Sequence, residues 1–172
     1  MTTYLQVNFK DGRLYQYSAN KSEGFEEHFN KEGVQKGYRR YFSFITGELL
    51  SIRERENSMM NNRKELNVAF KVDDDVYVVV FNVFNQKKSF ETFVESFITQ
   101  TPFLNKGETY TLKCYNFKNE EGYQIIGTTL TKGGVDGEKV ERLAQRFKKK
   151  TGLLQRGLFQ KYIGLKKEVN GF

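Results

Sequence analysis

Tyr38-Arg39-Arg40-Tyr41-Phe42-Ser43-Phe44-Ile45-Thr46-Gly47-Glu48-Leu49-Leu50-Ser51-Ile52-Arg53-Glu54-Arg55 is the run against which every other part of the chain is placed. Its first seven residues hold four aromatic rings and two guanidinium groups. A core strand has no use for so many cations, and a solvent-facing strand has no use for so many rings. A surface that stacks flat rings and neutralises phosphates needs both. Alternation puts Tyr38, Arg40, Phe42 and Phe44 on one face of a strand, and Arg39 and Tyr41 on the other. Gly47 offers a point at which a long strand over 38–55 can bulge or bend. Phe44, Ile45, Leu50 and Ile52 are expected to build the core. Tyr38 to Phe42, with Arg53 and Arg55, are left for a ligand.

Downstream, a polar loop runs from Asn57 to Arg63. In a second strand, Leu66, Val68, Phe70 and Val72 alternate with Glu65, Asn67, Ala69 and Lys71. Asp73-Asp74-Asp75 turns the chain. A third strand over 76–83 is apolar at nearly every position, as expected of a strand covered on both faces. Phe90, Phe93, Val94, Phe97 and Ile98 then form one helical stripe, with Ser89 as N-cap and Pro102 closing the segment. Tyr110, Leu112 and Cys114 alternate in a fourth strand, and a fifth covers 123–131. The order of long bent strand, two strands, helix and two strands predicts an all-β fold, an OB-fold five-stranded Greek-key barrel with one helix.

Flanking segments extend this barrel. Leu5, Val7 and Phe9 alternate before Asp11-Gly12, a strong hairpin dipeptide, and Leu14, Tyr15 and Tyr17 follow it. Ser22, the four-residue spacing of Phe25 and Phe29, and Gly33 predict a short helix over 22–33. After Gly133-Gly134, Val140, Leu143, Ala144 and Phe147 make a helical stripe among Arg142, Arg146, Lys148, Lys149 and Lys150. The expected organisation is an N-terminal extension over 1–37, the barrel over 38–134 and a basic helical segment over 135–172.

Composition narrows the function classes. The 172 residues suit one domain with appendages and can bury a core without staples. A formal net charge of +7 favours acidic partners, nucleic acid first and anionic membrane second. No apolar run approaches the roughly 20 residues of a spanning helix, and the N-terminus has no leader pattern. A soluble, cytoplasmic protein is expected. Cys114 is the only cysteine and His28 the only histidine, too few for a structural zinc site. His28 reads as a surface histidine, and Cys114 as a buried small hydrophobe without a histidine partner. The three consecutive aspartates splay apart on a turn, and no Gly-x-x-x-x-Gly-Lys run exists. No metal, no cofactor and no enzymatic activity are expected.

The nucleic-acid-binding set read from these patterns begins with Tyr38, Arg39, Arg40, Tyr41, Phe42, Arg53 and Arg55. Arg63 lies in the first loop, Lys71 and Tyr77 flank the aspartate turn, and Lys87 and Lys88 precede the helix. Lys113, Tyr115 and Lys118, with Phe117 and Tyr123, belong to the last hairpin. In the competing reading the rings are core and the arginines pair with Glu48, Glu54 and Glu56.

With that order in place, residues 38–131 resemble the OB-fold of single-stranded DNA-binding proteins. The run from Ile45 to Arg55 is similar to first strands found in such proteins of phages and bacteria. The resemblance implies binding of single strands without sequence preference in phage DNA replication or recombination, in the bacterial host cytoplasm, by ring stacking and phosphate neutralisation. It also implies replication proteins as partners of the C-terminal segment. Many such proteins end in an acidic tail, whereas this chain ends Lys166-Lys167-Glu168-Val169-Asn170-Gly171-Phe172. Two alternatives stay open: an RNA-binding protein of the same fold, and a phage structural or interaction protein that binds no nucleic acid.

Overall fold

The computed structural model describes residues 1–8, 11–60, 63–82 and 96–142. In chain order its strands are β1 (Thr2–Asn8), β2 (Arg13–Ser18), β3 (Glu26–Phe29), β4 (Gln35–Phe42), β5 (Phe44–Asn57), β6 (Arg63–Val72), β7 (Asp75–Asn82), β8 (Thr109–Lys118) and β9 (Gln124–Lys132). Strands hold 61% of the described residues, so the all-β class holds. They form one sheet in the order β3-β4-β2-β1-β7-β6-β5-β8-β9. All neighbours are antiparallel except β1 and β7, which run parallel from Thr2↔Val76 to Gln6↔Val80.

Period-two patterning decides the faces. In β6, Leu66, Val68 and Phe70 are fully buried, and their partners in β7 include Val79 and Phe81, also fully buried. Leu5 of β1 continues this covered face beside Val79. Asp73, at φ 54, makes the β6–β7 turn in the left-handed region that Asp enters more readily than most residues.

Four expectations about local structure are corrected: the helix over 22–33, the single strand over 38–55, and the core placement of Phe44 and of Leu50. Residues 22–33 are not helical: Glu26–Phe29 pairs with β4, and the Asn30 side chain accepts from the N–H of Glu32 and of Val34 to close the turn. The open edge of β4 outweighs the four-residue phenylalanine spacing. The long strand is also two strands, broken at Ser43. Phe42 faces the core beside Leu14, while Phe44 beyond the break faces out at 45% exposure. Leu49, not Leu50, joins the core, because a bulge shifts the register between Leu49 and Ser51.

Ser43 also dictates the shape of the sheet. Five strand spacings separate β4 from β5 in the sheet order. At ~4.8 Å each, a flat sheet would hold them ~24 Å apart. One intervening residue spans at most ~7 Å. The sheet must therefore curl until its arms meet, giving a barrel-like form. The contacts agree: the Ser43 carbonyl accepts from the Cys114 N–H of β8, and the Asn116 side chain donates to the Asp11 carbonyl in the β1–β2 turn.

Of the expected helix after β7, residues 96–98 are described and are helical. Phe97 stacks on Phe81 at 4.8 Å inside the curl. The next residues cap the edge of β9. Ser96 Oγ accepts from the Thr128 N–H, and Gln100 Oε1 from the Leu130 N–H. Residues 138–140 then return along β9, with Val140 donating to the Leu130 carbonyl and burying its side chain. The predicted helical stripe from Leu143 onward lies outside the described residues.

Candidate nucleic-acid interface

The registers sort the predicted residues onto two faces. Tyr15 lies opposite Tyr41 and Tyr17 opposite Arg39, on the face away from Leu14 and Phe42. Arg53 and Arg55 share that outer face, opposite Asn67 and Glu65, with Lys71 opposite Glu48. Lys113 lies beside Phe44 and, on the same side of β8, Tyr115 and Phe117 follow. The outer face of the curl thus gathers Arg39, Tyr41, Arg53, Arg55, Lys71, Lys113 and Tyr115.

Tyr38, Arg40, Phe42 and Tyr77 fall on the inner face. Phe42 and Tyr77 meet edge to face at 6.4 Å and pack against the core, so both are more structural than the sequence indicates. The Arg40 guanidinium sits 5.2 Å from the Phe42 ring at the rim. Lys118 is exposed at the tip of β8. Arg63 opens β6, but its side chain lies outside the description, as do Lys87 and Lys88 altogether.

On β2 and β4 the side chains form a ladder. The Arg39 guanidinium lies over the Tyr15 ring at 4.0 Å, the Tyr15 and Tyr41 rings are 6.3 Å apart, and the Arg13 guanidinium lies over Tyr41 at 3.9 Å. Arg13 donates from Nε and Nη2 to Asp11 Oδ2, at 3.1 and 2.7 Å. The Tyr15 hydroxyl donates to Gln6 Oε1, and burial pushes its pKa up while Arg39 pulls it back. The rings therefore already carry cations: a ligand arriving here meets guanidinium planes before tyrosine faces. Arg13 and Tyr15 were not among the sequence-derived site residues. The signal that marks them is the alternation Arg13, Tyr15, Tyr17 after the Asp11-Gly12 turn, matching Arg39 and Tyr41.

Register places Glu26 opposite Arg39, Glu65 opposite Arg55 and Glu48 opposite Lys71. Met1 pairs with Asp75, and Arg13 with Asp11. Glu65 is engaged by Asn57 instead, at 2.9 Å. No ion pair of Arg53 or Arg55 with Glu48 or Glu56 occurs among the described residues.

Cys114 is buried, and burial pushes its thiol up to about 12 with the Asp11 charge adding to it, so it stays protonated at neutral pH. No group of three or more His, Cys, Asp or Glu side chains that could hold a metal occurs among the described residues. Nor is any described helix long and apolar enough to cross a membrane. Comparison with known family models, curated proteins and solved structures finds no match for this chain.

Proposed function

We propose that this protein binds single-stranded nucleic acid, DNA first, through the outer face of its curled sheet and without strong sequence preference. The observation that carries this reading is the Arg39–Tyr15–Tyr41–Arg13 ladder, set on the same face as Arg53, Arg55, Lys71 and Lys113. An unpaired cation on a solvated strand gains little from its neighbours, so a row of them is best explained by a polyanion. Rings beside the cations add sequence-tolerant stacking, through exposed Phe44 and Phe117. Arg39 and Arg13 present planar guanidinium groups on which bases can also stack.

An order of elements like the one expected of an OB-fold supports the reading. The meander β5–β6–β7, the helical residues after it and the β8–β9 hairpin attached to β5 keep the predicted order of elements. The departure is at β7, whose parallel neighbour is β1 from outside the expected barrel. In function, the chain would act as a protective or accessory factor in replication or recombination of phage type.

A fluorescence-anisotropy titration with labelled oligo-dT and with duplex of equal length, at 50 and 200 mM salt, tests it. Tighter binding of the single strand, weakening as salt rises, is expected. No binding at 50 mM salt would sink the reading. Equal affinity for duplex would reduce it to plain electrostatics, and preference for oligo-U would move it to RNA.

A further inference from the structure

The two ends of the arginine–tyrosine ladder differ. Arg39 is outside the described ion pairs, while Arg13 is held by Asp11 through two hydrogen bonds to one carboxylate oxygen. The pair is exposed, with side chains 45% and 30% accessible, so it adds little to stability. The other oxygen, Asp11 Oδ1, is buried without a hydrogen-bond partner among the described residues, which costs the fold free energy rather than supplying it. A carboxylate on Arg Nε and Nη2 offers the same contacts as a phosphate oxygen. The Asp11-Gly12 turn accounts for an Asp or an Asn at this position; what it leaves over is a charged carboxylate seated on Arg13 in the manner of a phosphate.

We infer that Arg13 and Arg39 form a two-cation site for the backbone phosphates of one strand, with Asp11 seated on Arg13 as an internal stand-in that the strand must displace. Tyr15 and Tyr41 are positioning residues: they hold the two guanidinium groups and are not themselves the stacking surface. This rests on the single-strand reading and adds to it a built-in brake on affinity. Its consequence is that removing one particular acid strengthens binding by way of one particular arginine.

Asp11→Asn is a clean probe. Asn-Gly forms the same hairpin turn as Asp-Gly, and the main-chain carbonyl that accepts from Asn116 remains. In oligo-dT titrations at 50 mM salt, D11N is expected to bind roughly five- to tenfold tighter than wild type, with a log K against log salt slope steeper by about 0.7. The gain should vanish in an R13Q background. D74N, which removes an exposed acid of the β6–β7 turn, controls for net charge. A D11N gain no larger than that of D74N, or one that persists with R13Q, would overturn the inference.

If no variant binds oligo-dT, the functional reading fails, and titration of pyrophosphate followed by the arginine Nε–H NMR signals decides the site separately. Shifts at Arg13 in D11N but not in wild type would sustain it. No shift in either would end it.

Discussion

Gly47 has room for a hydrogen and nothing larger. A Cβ there would lie 2.5 Å from the Lys71 carbonyl oxygen and 2.9 Å from Val72 Cγ2, so β6 would have to move away. The residue reads in sequence as a bend, yet what it permits is close approach of a neighbouring strand, and the bulge sits two residues on. Gly127 is the contrasting case: a Cβ there meets the tip of the Tyr115 side chain, which can swing aside. Gly47→Ala should therefore lose about 2–3 kcal/mol in urea unfolding, and Gly127→Ala about 1 kcal/mol or less. The reverse order would contradict these placements. The exposed cations were legible at this scale because Arg and Lys identities are plain in the chain. The Arg13–Tyr15 half of the ladder was not, since it gains meaning only from which strand lies opposite.

Gln100 shows how an element is finished rather than formed. Fully buried, it donates from Nε2 to the Val140 carbonyl at 2.8 Å and accepts from the Leu130 N–H at 3.0 Å. It thereby closes the outer edge of β9 and fastens the returning segment to it, where a bare edge would invite another strand. Gln100→Ala leaves two buried main-chain groups without partners and should cost about 3 kcal/mol in chemical denaturation. A loss within about 0.5 kcal/mol, the scatter of surface changes, would show that water replaces the side chain. Strands β6 and β8 were legible because their apolar residues alternate, and β7 because it is an almost continuous apolar run between polar turns. Residues 22–33 were not: four-residue spacing of two phenylalanines fits a helix, and only the open edge of β4 makes Glu26–Phe29 a strand.

At the scale of the whole molecule, the shape follows from a single residue link between two strands that the sheet order holds five spacings apart. Curling turns one face inward as core and spreads the other as a convex surface with the cations on it. The β1–β7 pairing that completes the sheet joins residues about 74 positions apart in sequence, Thr2 with Val76. Alternation reports which face a residue takes and says nothing about its neighbour across the sheet, so this pairing was beyond sequence reading. The central claim is that the convex-face cations bind the phosphates of a single strand. Its most direct test is the salt dependence of oligo-dT binding in wild type and in an R39Q/R53Q/R55Q variant. Loss of three phosphate contacts should flatten the log K against log salt slope by about 2. An unchanged slope, with the variant still folded and binding as wild type does, would contradict the account.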